Sequence, residues 1–376
     1  MSEQEQQMRQ LAPRPGVFNV SPYVGGESSL PGVSRVIKLA SNEGALGPSP
    51  RAIAAAHGSA ETLCRYPDGG ASVLRRALGE RFGLDSDRIA CGAGSDELIA
   101  ILSRAYVGPG DEVLYSRHGF LMYAIVATGL GATPVAAPER DLTVDVDALL
   151  ARVTGKTRAV FLANPNNPTG TYLPIGEVRR LHAGLPSDVL LVLDAAYAEY
   201  MTAADYDAGV ALVDAADNVV MTRTFSKIYA LGGLRLGWCY GSPAIIDVVN
   251  RVRGPFNVST AAIQAGVAAL ADQAFVEQVR AHTARWRAWT TEALRRLGLD
   301  VPDSYGNFIL ARFADIDEAN AADDFLRRRG LIVRKIGNYG LGESLRVTIG
   351  TEEEMRLLVE ALAAFLGEVR KRQARG

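Results

Sequence analysis

The sequence predicts an α/β fold with a mostly parallel sheet, and three observations carry that expectation. Between about residues 45 and 250, apolar β-type runs alternate with helix-length stretches. Several of these runs are apolar at nearly every position, the pattern of strands covered by helices on both faces. Polar clusters then follow the runs directly, which is where open α/β sheets bind ligands.

The strand-like runs are RIACG (88–92), EVLY (112–115), ATPVAA (132–137), RAVFLAN (158–164), VLLVLDAA (189–196) and NVVMTRTF (218–225). Stretches 95–107, 118–130 and 175–183 supply crossover helices. Residues 1–40, polar and then punctuated by Pro and Gly, read as an arm. Residues 41–250 form the larger α/β domain. The RVRGPFNVS segment at 251–259 reads as a break, and 251–376 as a smaller α+β domain opening on a long Ala-rich helix, roughly 260–297.

Composition narrows the function. The chain has 376 residues, 48% hydrophobic and 22% charged, the balance of a globular protein with a sizeable core. A net charge of −2 gives no footprint for nucleic acid or an anionic membrane. No apolar run approaches the ~18 residues of a membrane span, and the N-terminus has no apolar signal core. Cys64, Cys91 and Cys239 form no CxxC pair, and the four histidines are scattered, so neither a disulfide framework nor a metal site is expected. A reducing cytoplasm fits.

Only five residues are lysines: Lys38, Lys156, Lys227, Lys335 and Lys371. Lys227 alone sits at a strand end within an apolar segment, where burial could leave its amine partly neutral and nucleophilic; an ordinary loop lysine is the alternative. Asp194 closes an apolar run. A carboxylate there needs a cationic partner unless it merely caps the next segment. GAGSDE (92–97) could set Gly94, Ser95 and Asp96 at a helix N-terminus suited to a phosphate. Thr224, Ser226 and Arg235 could add hydroxyl and guanidinium contacts. NPNNPTG (164–170) could present an amide to a ligand or be only a turn.

Taken in order, NPNNPTG, DAAYAEY and TFSKIYALGGLRLGW resemble the fold-type-I pyridoxal-phosphate aminotransferases. Further matches run from SPYVGG and LASNE to LRVTIG, over nearly the whole chain, and within that group the sequence is similar to the histidinol-phosphate aminotransferases. The resemblance implies a seven-stranded, mostly parallel sheet with pyridoxal 5′-phosphate as cofactor. Lys227 would bond to it covalently and shuttle the donor's α-proton, Asp194 would pair with the pyridine nitrogen, and Asn167 and Tyr197 would contact the ring hydroxyl. Gly94, Ser95, Asp96, Thr224, Ser226 and Arg235 would surround the cofactor phosphate, with Asp96 capping the helix. Phe120 of HGFLMY would cover the ring, with His118 as alternative. Tyr66 of CRYPDGG would reach a phosphate across the interface of a homodimer with shared active sites. Tyr23, Asn167, Arg334 and Arg346 would hold the donor, histidinol phosphate or an amino acid, with 2-oxoglutarate as acceptor.

Two segments depart from the family pattern. Its usual SNENPLGPSP reads SNEGALGPSP at 41–50, and SRHGF stands in place of its PTY-like stacking segment. The same scaffold also serves aromatic amino-acid aminotransferases, lyases such as the threonine-phosphate decarboxylases, and non-catalytic pyridoxal-phosphate-binding regulators. Those regulators would carry a helix-turn-helix domain, which is not read here.

Overall fold

The computed structural model describes residues 16–20, 25, 27–32 and 35–373. Its central sheet has seven strands: β1 (Ile89–Gly92), β2 (Glu112–Ser116), β3 (Thr133–Ala137), β4 (Thr157–Ala163), β5 (Leu190–Asp194), β6 (Val219–Thr224) and β7 (Gly237–Gly241). Their spatial order is β1-β7-β6-β5-β4-β2-β3. The pairs among β2 to β6 are parallel, and β7 runs antiparallel to both β6 and β1.

All six expected strands form, within a residue or two of the runs that announced them. The seventh, GWCYG, was not among them, because two glycines and two aromatics lack a β-branched run. Gly237 has a specific reason to be glycine: a Cβ there would lie 2.5 Å from the backbone nitrogen of Ser95. The missing side chain lets the strand approach the N-terminus of a helix that helps form the site.

The helices relevant here are α1 (Pro50–Gly58), α2 (Ser72–Phe82), α3 (Ser95–Tyr106), α4 (Met122–Gly129), α5 (Ile175–Gly184), α6 (Pro243–Val252), α7 (Thr260–Ala271), α8 (Gln273–Arg296), α9 (Ile316–Arg327) and α10 (Glu352–Gln373). Successive residues of β5 point to opposite sides. Leu191 and Leu193 enter the core shared with α2 and α7; Leu190 and Val192 enter the core shared with α3 and α6. Burial on both faces explains why these strands read as unbroken apolar runs.

Three expectations need correction. The single helix over 260–297 is two, broken at Asp272, whose φ of −94° and ψ of 62° leave the helical region. The boundary near residue 251 does not separate the cores: Ala262, Ala265 and Ala269 of α7 and Val276 and Val279 of α8 belong to the larger core, and the second core takes over at Trp286. Ile37 and Leu39, read as arm, are buried in that second core, and the strand Ile37–Lys38 pairs parallel to Leu331–Ile332. The smaller unit's own sheet, β8 (Phe308–Arg312), β9 (Arg334–Lys335) and β10 (Ser344–Thr348), is antiparallel in the order β8-β10-β9.

Candidate active site

The carboxyl ends of β4, β5 and β6 and the N-terminus of α3 open onto one cavity of about 200 Å³. Asn167 reaches it from the turn after β4, Asp194 is the last residue of β5, and Thr224 is the last of β6. Lys227 lies on the loop from β6 to β7. That connection needs no crossover helix because the two strands are antiparallel. Arg334, Tyr339 and Arg346 of the smaller unit complete the lining.

Burial sets the charges. Asp194 has left bulk water, which pushes its carboxyl up from 3.8 to about 6, although Tyr123 Oη donates to Oδ2 at 2.8 Å and Thr222 Oγ1 to Oδ1 at 3.3 Å. Both hydroxyls favour the charged form, and desolvation outweighs them. No ion pair with a cationic side chain neutralises Asp194 among the described residues. Desolvation of the Lys227 amine, joined by the Arg346 guanidinium, brings its pKa down from 10.5 to about 8. A tenth or so of the amine is then neutral at pH 7.

At one end of the cavity, α3 starts at Ser95 behind Gly94, whose φ of +90° suits glycine and which offers no side-chain cap. A Cβ on Gly94 would lie 2.6 Å from Arg235 Nη2, so the glycine admits the guanidinium to the helix end. Asp96 Oδ2 accepts from that Nη2 at 3.1 Å and does not cap. Glu97 does not cap either: its Oε2 accepts at 2.6 Å from the N–H of Ala93, ahead of the helix, so the first helical N–H groups have no side-chain cap. Ser226 and Thr224 line the same end, and the Ser226 N–H donates to Thr224 Oγ1 at 3.1 Å.

At the other end, Arg346 is buried; it donates from Nη1 to Asn167 Oδ1 at 2.5 Å and from Nη2 to the Ala40 carbonyl at 2.9 Å. The Asn167 carbonyl is thus engaged and its amide hydrogens can serve a ligand. Tyr197 Oη accepts from Asn42 Nδ2 at 2.9 Å, which leaves its own hydrogen to donate. Lys227 Nζ sits 5.8 Å from the centre of the Tyr197 ring.

These residues fit pyridoxal phosphate. An uncapped helix start with Arg235 suits the phosphate. A buried carboxylate without a cationic partner suits a protonated ring nitrogen, and a partly neutral lysine suits the aldehyde.

The sequence pattern of the family described as aminotransferase class I and II matches residues 34–362. The chain belongs to that family. Among its relatives, the histidinol-phosphate aminotransferase of Paramagnetospirillum magneticum is 60% identical over 358 residues, 95% of this chain and 99% of the relative. That of Rhodospirillum rubrum is 59% identical over 357 residues, 94% and 96% of the two chains. The crystal structure of histidinol-phosphate aminotransferase from Sinorhizobium meliloti in complex with pyridoxal-5′-phosphate superposes with a TM-score of 0.88 at 28% identity, covering 97% of this chain and 100% of that one.

Most residues proposed from the sequence of this aminotransferase meet at the cavity: Ser95, Asp96, Phe120, Asn167, Asp194, Tyr197, Thr224, Ser226, Lys227, Arg235, Arg334 and Arg346. Phe120 lines it, whereas the alternative His118 turns its ring toward the carbonyl of Tyr339. Tyr66 does not line it. That side chain is 83% exposed and stacks on Phe256 with ring centres 4.8 Å apart. Tyr23 lies outside the described residues. Sequence reasoning missed Asn42, Tyr339 and Tyr123. Asn42, at φ +55°, stands within the departing SNEGALGPSP segment, and Tyr123 ends the HGFLMY run, of which only Phe120 and His118 were singled out.

Proposed function

We propose that the protein transaminates L-histidinol phosphate with 2-oxoglutarate, using pyridoxal 5′-phosphate and giving imidazole-acetol phosphate and L-glutamate, a step of histidine biosynthesis. The observation that carries the donor assignment is the register of β9 and β10. Arg334 and Arg346 are direct partners across this antiparallel pair, and both line the cavity that holds Lys227. Partner residues in such a pair project from the same face. Two guanidinium groups side by side suit the dianionic phosphate that histidinol phosphate carries where an amino acid has its carboxylate. The same pair can meet the carboxylates of 2-oxoglutarate in the return half of the cycle.

When bound, the cofactor supplies an electron sink for the pair left on the donor's α-carbon. The chain's own groups do the rest. Lys227 Nζ takes the proton from that α-carbon. Asp194 holds a positive charge at the ring nitrogen, and in doing so stays ionised well below the value it has alone. Tyr197 and the Asn167 amide donate toward the ring hydroxyl, while Gly94, Ser95, Asp96, Thr224, Ser226 and Arg235 form the phosphate end. Phe120 fixes the plane of the ring by stacking.

We further propose a homodimer in which Tyr66 serves the partner's site. Its exposure beside Phe256 supports this, as does neighbouring Leu63, which is 72% exposed. A cytoplasmic setting is supported by three free cysteines, and no helix of the described residues is long and apolar enough to cross a membrane.

The test is a comparison of initial rates for histidinol phosphate, phenylalanine, tyrosine and aspartate with 2-oxoglutarate. Histidinol phosphate should be the best donor and the aromatic amino acids slow ones, since their rings can take the imidazole's place. A faster aromatic amino acid would overturn the donor, and CO₂ release without 2-oxoglutarate would point to a lyase.

A further inference from the structure

Where the two units meet, Leu310, Ile336, Tyr339 and Leu341 form a small apolar cluster, and Leu121 and Leu142 of the larger unit pack against it. A hydrogen bond crosses this seam: His118 Nδ1 lies 2.6 Å from the backbone carbonyl of Tyr339. A carbonyl oxygen only accepts, so Nδ1 carries the hydrogen.

The rest of His118 is fixed to the larger unit. Its N–H donates to Glu139 Oε1 at 3.1 Å, its carbonyl accepts from Asn166 Nδ2 at 3.3 Å, and the residue is buried. The following Gly119 lets the chain double back, since a Cβ there would lie 2.9 Å from the Ser116 carbonyl. Phe120 then enters the cavity two residues after His118. Tyr339 lines the same cavity from the other unit, five residues after Arg334. A buried histidine that satisfies a carbonyl is usually just packing. This one ties together two cavity walls that belong to different units.

We infer that His118 is a positioning residue that sets the donor end of the site relative to the cofactor end. By fixing Tyr339, it fixes the turn that connects Arg334 to Arg346, so the guanidinium pair stands at a set distance from the ring beneath Phe120. This rests on the donor assignment made above.

The experiment compares the holoenzyme with its His118→Ala and His118→Asn variants. Asparagine can place an amide N–H close to the position of Nδ1. Loss of the bond should raise KM for histidinol phosphate about tenfold, the equivalent of one ordinary hydrogen bond with its acceptor left buried. kcat and the absorption spectrum of the bound cofactor should stay near the wild-type values, and His118→Asn should restore KM. Amide hydrogen exchange over residues 336–341 should rise in the alanine variant and return toward wild type in the asparagine one. If His118→Ala does not fold, His118→Gln, whose amide lies one methylene too far out, takes its place. An unchanged KM, a loss confined to kcat, or failure of asparagine to restore KM overturns the inference. A wild-type enzyme inactive on histidinol phosphate would sink the donor assignment instead, and the exchange contrast would then decide the role of His118.

Discussion

The two walls of the cavity are built differently. Asp194, Thr224 and the loop bearing Lys227 grow from β5 and β6, strands buried on both faces and paired through the middle of a seven-stranded sheet. Arg334, Tyr339 and Arg346 stand on a smaller antiparallel sheet whose β9 is two residues long. A contact between units helps hold that second wall, from Arg346 to Asn167. On the roles proposed above, the groups that would carry and move charge stand at the ends of strands buried on both faces. Those that would select the donor stand on the smaller antiparallel sheet. Damage to the first wall should appear in kcat, and damage to the second in donor preference.

The largest effect is expected from Lys227→Ala. Removal of the amine should lower turnover by up to about 10⁴-fold and abolish borohydride-trappable attachment of pyridoxal phosphate. Undiminished trapping would show that another lysine holds the cofactor. Asp194→Ala comes next. The carboxylate matters most when negative charge develops on the donor, so its loss should act on the transition state. We expect kcat to fall about 10²- to 10³-fold with little change in donor KM, read from steady-state rates at saturating cofactor. A loss confined to KM would mean that Asp194 serves binding and that the contrast between the walls is misdrawn.

The same contrast explains what could be read from the sequence. β5 announced itself because both of its faces are buried, and Asp194 stood out as a charge closing an apolar run. Lys227 was legible for a similar reason and because lysines are few. Arg334 and Arg346 were not legible from the residues alone: each stands in a short β segment, and only the resemblance to a family singled them out. Their cross-strand pairing is a tertiary fact. Asn42 and Tyr339 were missed because they act through neighbours, Asn42 through Tyr197 and Tyr339 through a backbone carbonyl. α7 was assigned to the wrong unit because an Ala-rich helix looks the same whichever core it packs against. The break at Asp272 was hidden by continuous helix-forming sequence on either side.

The smallest of these effects, and the one that sharpens the contrast most, is expected from Arg334→Ala. Arg346 alone discriminates little, because its guanidinium is held by Asn167 and Ala40 and can serve any carboxylate-bearing donor. Arg334 is less buried and, paired in register with Arg346, adds the second fork that a dianionic phosphate can use. A hydrogen bond to a charged group is worth about 1.5–3 kcal/mol, roughly ten- to a hundredfold at 1.4 kcal/mol per decade. Arg334→Ala should therefore lower kcat/KM for histidinol phosphate by about ten- to a hundredfold, with a smaller loss for phenylalanine or tyrosine, whose single negative charge can remain on Arg346. The two ratios, measured on the same preparations with 2-oxoglutarate, give a specificity change that general damage to the fold would not produce. An equal loss on both donors would make Arg334 a general anion anchor, and the selection of donor would then have to lie elsewhere on that wall.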